Sequence, residues 1–381
     1  MNRPAPRPAV QRLAPYVPGR PIEEVEAEYG IVGAVKLASN ENPLGPSPMA
    51  LAAATRALAG VHRYPDGSAT FLRRGIASRF RVDADQVILG AGASELIDIA
   101  IRTFVDPGEE VVVPHGIFGM FPVATGRAAG TLVKVPTLPD LKPDLAAMRE
   151  AIGPRTKVVA IANPNNPTGA YVSRDALARF VASLPEDVLF VLDEAYFEFA
   201  AGVVPDYPDG LELVREGRSV LVLRTFSKIA GLAGLRIGYG FGPVDVLAAM
   251  HKVREPFNAN LVAQAAAAAA LDDEAHRAKV RELVLAERGR LFSALSERGM
   301  TVHPSIGNFL LVEGSSPFAP LEAQFARRAV IVRPMAGWGF PNGFRVSVGT
   351  REENDRFLAV VDELLSLGLL GSARPSAGAT A

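Results

Sequence analysis

SVLVLRTFSKIAGLAGLRIGYG, residues 219–240, opens as a run of Val and Leu, ends that run at Thr225, and turns through Phe226-Ser227-Lys228 into a glycine-rich stretch. A short run with apolar residues at successive positions predicts a strand buried on both faces. Six other runs share this texture: QVIL (86–89), EVVVP (110–114), TLVKV (131–135), KVVAIA (157–162), DVLFVLD (187–193) and RIGYGF (236–241). Helical patterns such as SELIDIAIRTF (94–104) and SRDALARFVASL (173–184) fall between most of them. That alternation predicts an α/β fold with a large, mainly parallel sheet covered by helices on both faces. In such a sheet, ligands sit at the loops beyond the carboxyl ends of the strands.

Beyond Phe257 the texture changes. Alanine- and charge-rich helices fill about 260–299, and Leu261–Leu271 contains six consecutive alanines, which predicts a closely packed, buried helix. NFLLVE (308–313), AVIVR (329–333) and FRVSVG (344–349) predict the strands of a second, smaller sheet. Thr350 and Glu353 form a T-x-x-E capping box ahead of Phe357, Leu358, Val360, Val361, Leu364 and Leu365, spaced as one buried helical face. The expected organisation is an N-terminal arm over 1–35 packing with the small domain, a large domain over 36–257, a small C-terminal domain over 258–370, and a disordered tail over 371–381.

The chain has 381 residues, 49% of them apolar, enough for a sizeable core. Forty Lys and Arg against 41 Asp and Glu give a net charge of -1, which argues against binding dominated by nucleic acid or a membrane surface. The absence of cysteine excludes disulfides, thiol nucleophiles, cysteine-bound zinc and iron–sulfur clusters. No apolar stretch reaches the length of a membrane span, and the N-terminus lacks a secretory apolar core, so the cytoplasm is the expected compartment. Chemistry here must come from oxygen and nitrogen groups or from a cofactor.

Four features could carry that chemistry. Lys228 follows a strand end; alone it reads as a solvated loop charge, but Thr225, Ser227 and Arg236 beside it can hold a phosphate. Asp193 closes the apolar run VLFVL, a poor place for an unpaired carboxylate, and serves either as a local cap or as the partner of a bound cation, with Tyr196 three residues on. NPNNPTG (163–169) reads locally as a tight turn, yet it sets Asn166 just past a strand. GAGASE (90–95) fails the dinucleotide fingerprint because Glu95 holds its sixth position, but a glycine turn opening a helix makes an anion site, with Ser94 the expected N-cap.

A lysine, a strand-end aspartate, an asparagine, an anion loop and an arginine fit one cofactor, pyridoxal 5′-phosphate (PLP). Asn166-Pro167-Thr168-Gly169, Asp193-Glu194-Ala195-Tyr196 and Ser227-Lys228 followed by Arg236 resemble the fold-type I, aspartate aminotransferase-like PLP enzymes over about residues 12–368. Within that superfamily the chain is most similar to the histidinol-phosphate aminotransferases, through LAPYVPGRPIEEV (13–25), LASNENPLGPSP (37–48), RYPDG (63–67), IVRPM (331–335) and FRVSVGT (344–350). The resemblance implies transamination between histidinol phosphate and 2-oxoglutarate. It implies Lys228 as the Schiff-base lysine, Asp193 on the pyridine nitrogen, Tyr196 and Asn166 on the ring 3-oxygen, and Phe118 stacked on the ring. The cofactor phosphate would be held by the Ala93–Ser94 turn, Thr225, Ser227 and Arg236. Tyr64 would reach the cofactor of a second subunit, so a homodimer is implied. Arg345 resembles the carboxylate clamp, with Arg333, Tyr16 and Asn42 as candidates for the rest of the substrate pocket and Arg20 as a weaker one.

Several positions depart from the family pattern. Ala91, Ala93 and Ser94 stand where Asn, Ser and Asp are common, and Phe121 stands where tyrosine is frequent. Trp338 and Phe340 precede Arg345 and fit either an aromatic-acceptor pocket or ordinary packing. Two related activities therefore stay open, an aromatic amino acid aminotransferase and a decarboxylase of threonine phosphate. A PLP-binding regulator is disfavoured because the chain has no room for an added DNA-binding domain.

Overall fold

A computed structural model describes residues 4–14 and 18–371. Tyr16 and nearly all of the expected tail lie outside the described residues. The described residues divide into two compact units: the first comprises 4–14, 45–165 and 170–277, and the second comprises 18–44, 166–169 and 278–371.

Among the described residues of the first unit, seven strands form one sheet: β1 (Val87–Gly90), β2 (Glu110–Pro114), β3 (Thr131–Val135), β4 (Thr156–Ala162), β5 (Leu189–Asp193), β6 (Val220–Thr225) and β7 (Gly238–Phe241). Their spatial order is β1-β7-β6-β5-β4-β2-β3, and β7 alone runs antiparallel to its neighbours. Successive side chains alternate between two apolar layers. Phe190, Leu192, Val220 and Val222 face one layer, with Leu72, Leu177 and Ala266. Val191, Leu221 and Leu223 face the other, with Leu96, Ile97 and Ala100 of the helix Ala93–Phe104. Each buried Val, Leu or Phe contributes about 1.5–3 kcal/mol, so the strand ends are set by a core that tolerates little displacement.

In the second unit, Arg333–Pro334, Gly343–Ser347, Phe309–Glu313 and Thr301–Val302 form an antiparallel sheet in that order. The expected strand AVIVR is split: Val330–Ile331 pairs in parallel with Val35–Lys36, and Arg333–Pro334 pairs with Phe344 and Arg345. The chain changes partners at Val332, which a run of apolar residues does not reveal. The capping box forms, with Glu353 N donating to Thr350 Oγ1 (3.3 Å) and Thr350 N donating to Glu353 Oε2 (2.7 Å). The helix it opens, Arg351–Ser366, buries Phe357, Leu358, Val360, Val361 and Leu364.

The unit boundaries differ from the expected 35/36 and 257/258. Residues 36–44 join the second unit because Val35–Lys36 pairs there and Leu37 O accepts from Ser347 N. Residues 258–277 join the first because the helix Leu261–Asp272 lays Ala263, Ala266, Ala267 and Ala270 against the helix Pro48–Ala57, whose Ala50 and Ala53 are also buried. The small side chains permit that close approach. Residues 4–14 also belong to the first unit, where Leu13 covers Gly126.

Candidate active site

In the first unit, the carboxyl ends of β1, β5 and β6 lie at one edge of the sheet. Gly90 and Thr225 are both register partners of Gly238, one on each side of β7. A Cβ on Gly238 would lie 2.5 Å from Ala93 N, so the turn that opens the helix Ala93–Phe104 rests directly on β7. The N-cap is Gly92, in a left-handed conformation (φ +84), and Ser94 is the second helical residue rather than the expected cap. A Cβ on Gly92 would lie 2.6 Å from Arg236 Nη2, and only glycine suits both the space and the conformation. Arg236 reaches this turn, donating to Ala91 O (3.4 Å) and Ala233 O (3.0 Å). Thr225 Oγ1 donates to Ser227 Oγ at 3.0 Å.

Asp193 is buried at the end of β5, and its Oδ1 accepts from Ala195 N at 3.0 Å. Burial raises its pKa to about 6, against the Ala195 N–H and the charge of Lys228, both of which favour the carboxylate. Lys228 Nζ stands 5.6 Å from the centroid of the buried Tyr196 ring. The structure thus brings Lys228, Asp193 and Tyr196 into one electrostatic neighbourhood, with Thr225, Ser227, Arg236, Ala93 and Ser94 around the glycine turn. Phe118 is half-buried at the edge of the apolar layer that holds Val191. Tyr64 is 83% exposed and stacks on Phe257 at 4.7 Å.

The second unit holds the rest of the candidates. Arg345 is buried and donates to Asn166 Oδ1 (2.5 Å) and Ala38 O (2.7 Å). Arg333 and Arg345 are directly opposite in the antiparallel ladder, so both side chains leave the same face of the sheet. Two cations so placed repel each other unless an anion joins them. The Arg333 guanidinium lies 5.3 Å from the Trp338 ring centroid. Asn42 lines a cavity of about 450 Å³ with Lys36, Glu41, Gly349 and Glu353. Arg20 is taken up by surface ion pairs with Glu24 and Glu28, which leaves it a structural role.

A cluster that sequence reasoning missed lies beneath the site. Arg224 is fully buried in β6, donates from Nε and Nη2 to Glu194 Oε2 (2.9 and 2.7 Å) and from Nη2 to Asp209 Oδ1 (2.6 Å), and sits 3.5 Å over the Phe197 ring. Burial opposes its charge, but Glu194 and Asp209 outweigh burial and raise its pKa. The signal was present: an arginine inside VLVLRT demands a buried partner.

A profile of the family described as aminotransferase class I and II matches residues 32–361. The chain belongs to that family. A protein from Anaeromyxobacter sp. (strain Fw109-5) named histidinol-phosphate aminotransferase is 50% identical, over 94% of this chain and 98% of its own. A Pseudomonas aeruginosa protein named histidinol-phosphate aminotransferase 2 is 45% identical, over 94% and 97%. The solved structure of histidinol-phosphate aminotransferase from Sinorhizobium meliloti, in complex with pyridoxal-5′-phosphate, superposes with a TM-score of 0.87 at 29% identity, covering 94% and 97%.

The cofactor of this aminotransferase is PLP, and the first unit fits it. The glycine turn lets Arg236 and β7 close directly against it, and a helix N-terminus, two hydroxyls and a guanidinium there supply donors for a phosphate. Buried Asp193 is the acceptor a protonated ring nitrogen needs. Among the described residues, no helix is long and apolar enough to cross a membrane.

The raised pKa of Asp193 has a measurable consequence. A carboxyl that moves from about 3.8 unfolded to about 6 folded stabilises the cofactor-free protein at low pH, and that contribution is lost as pH rises through about 6. The loss totals about 3 kcal/mol from below pH 3.8 to above pH 6, and about half of it falls between pH 5 and pH 8. Asp193→Asn should abolish it, so the cofactor-free variant gains stability relative to wild type between pH 5 and pH 8. Calorimetric unfolding at both pH values checks this; parallel pH profiles for the two proteins would contradict it.

Proposed function

We propose that this aminotransferase transfers the amino group of histidinol phosphate to 2-oxoglutarate, giving imidazole acetol phosphate and glutamate, as a cytoplasmic step of histidine biosynthesis. The near full-length likeness to the relatives named for that activity carries the reading, and the opposed pair Arg333 and Arg345 supports it. Glutamate brings two carboxylates, whereas histidinol phosphate brings a phosphate and no carboxylate. Guanidinium forks accept either anion bidentately. Arg345 is assigned to the carboxylate and Arg333, with Asn42 and Tyr16, to the distal anion.

PLP, when bound, supplies an electron sink for the negative charge that develops at the donor's α-carbon. Lys228 Nζ would hold the cofactor and would move the proton at the donor's α-carbon. Asp193 keeps the ring nitrogen protonated. Tyr196 and Asn166 would donate to the ring 3-oxygen, and Phe118 would pack on the ring. The N–H groups of Ala93 and Ser94, the Thr225 and Ser227 hydroxyls and Arg236 hold the phosphate. Tyr64 is assigned to the phosphate of a second subunit's cofactor. The exposure of Tyr64 beside the more than half-exposed Val61 supports a homodimer.

A second reading, aromatic amino acid transamination, is favoured by Trp338 and Phe340 before Arg345. Comparing kcat/KM for histidinol phosphate and phenylalanine separates the two. The expected preference for histidinol phosphate is about 10²-fold or more. Arg333→Ala should remove most of that preference, roughly 10²-fold for a charged hydrogen bond, while leaving kcat/KM for phenylalanine, which has no distal anion, nearly unchanged. A preference for phenylalanine in wild type would overturn the assignment.

A further inference from the structure

Ala91 and Ala93 leave the Gly90–Ala93 turn without side chains able to brace it, and its two glycines make it entropically expensive to fix. The structure supplies a brace from outside the turn. Glu95 Oε2 accepts from Ala91 N at 2.6 Å and from Asn258 Nδ2 at 2.6 Å. Asn258 Nδ2 also lies 3.3 Å from Leu89 O, and Asn258 Oδ1 accepts from Arg254 Nη1 at 2.7 Å. Glu95 is the third residue of its helix, where a capping-box carboxylate usually reaches the N-cap N–H. Here it reaches one residue further back. The Gly92 N–H is bonded instead to Gly90 O at 2.7 Å. With Ala91 and Gly92 taken up, the donors that the turn presents to an anion are the first two N–H groups of the helix, those of Ala93 and Ser94.

We propose that Glu95 is a positioning residue for the cofactor phosphate: tied to Asn258 and through it to Arg254, its carboxylate holds the turn so that the Ala93 and Ser94 N–H groups converge on one anion. The inference rests on the assignment of that turn to the phosphate. Glu95 Oε2 is engaged by two protein donors, Ala91 N and Asn258 Nδ2, so the carboxylate acts through the turn. Both donors end on a single oxygen, so a glutamine can reproduce both bonds through its carbonyl, whereas alanine can reproduce neither.

The test is equilibrium binding of PLP and of phosphate-free pyridoxal to the cofactor-free chain, read as the ratio of the two affinities. Glu95→Ala should lower PLP affinity about 10- to 30-fold, as expected for one lost charge-assisted hydrogen bond, with pyridoxal affinity unchanged. Glu95→Gln should keep the wild-type ratio. Asn258→Ala, which removes one of the two ties, should lower the ratio less than Glu95→Ala and keeps the test decisive if the latter fails to fold. Arg236→Ala serves as the control for the phosphate assignment. If Arg236→Ala lowers the ratio while the Glu95 and Asn258 variants leave it at the wild-type value, the role of Glu95 is overturned and the phosphate assignment stands. If Arg236→Ala and the alanine variants all leave the ratio unchanged, the phosphate assignment fails and the inference with it. An equal fall for PLP and pyridoxal in Glu95→Ala would mean general loosening and would also overturn it.

Discussion

Lys228→Ala should abolish transamination while leaving the protein folded. Lys228 is half-buried in the turn after β6 and lies outside the apolar layers, so its loss opens no core cavity. Its function is concentrated in one atom. Nζ is the proposed attachment point for the cofactor and the proposed group that moves the proton at the donor's α-carbon. A positioned proton-transfer group contributes roughly 10²–10⁴ in rate, and loss of the attachment adds to that. The expected fall in kcat is therefore at least about 10⁴-fold, together with loss of the visible absorbance band of the lysine-bound cofactor. Absorbance spectra and turnover of the purified variant check both. A variant that kept the band, or more than about a hundredth of the rate, would move the lysine role elsewhere.

The second large effect concerns stability. Arg224→Ala strands Glu194, whose side chain is fully buried and accepts two bonds from the guanidinium. Removing one partner of a buried ion pair destabilises by about 3–5 kcal/mol, because Glu194, its pKa already pushed up to about 7 by burial, must either stay charged without its counterion or take up a proton with two hydrogen bonds lost. Asp209 is partly exposed and can turn to water, so most of the loss falls on Glu194. Replacing both members by apolar residues of similar volume, as in Arg224→Met with Glu194→Leu, should recover much of that loss. Denaturant unfolding of the single and double variants measures the difference. A loss below about 1 kcal/mol for Arg224→Ala would show that the cluster is solvated in solution. The cluster also matters for the site: Arg224 leaves the sheet face opposite Thr225 and ties the end of β6 to the residue that follows Asp193.

The large sheet was legible because its strands are buried on both faces, which leaves unbroken apolar runs in the sequence. All seven runs became strands, with ends shifted by a few residues at most. The candidate cofactor residues stood out because they lie at or just past strand ends, where a polar residue interrupts an apolar run. The split of AVIVR was not, since a change of strand partner leaves hydrophobicity unchanged. Nor was the N-cap, because Ser94 is a good capping residue by type, and the positive φ at the position before the helix is what reserves it for glycine. The unit boundaries depend on tertiary pairing of a two-residue strand and on alanines that pack closely, both weak local signals. Glu95 was noted only as the residue that spoils a nucleotide fingerprint; its bond to Ala91 joins neighbours in the chain, but its tie to Asn258 spans 163 residues.

The most direct test of the central claim is a half-reaction. Cofactor-loaded protein is mixed with one amino donor at a time, without acceptor, while the visible band and the released products are followed. The account predicts that histidinol phosphate and glutamate both discharge the band, each releasing its keto product without CO2. Phenylalanine should act about 10²-fold more slowly. Fastest discharge by phenylalanine, or release of CO2 from threonine phosphate, would contradict it.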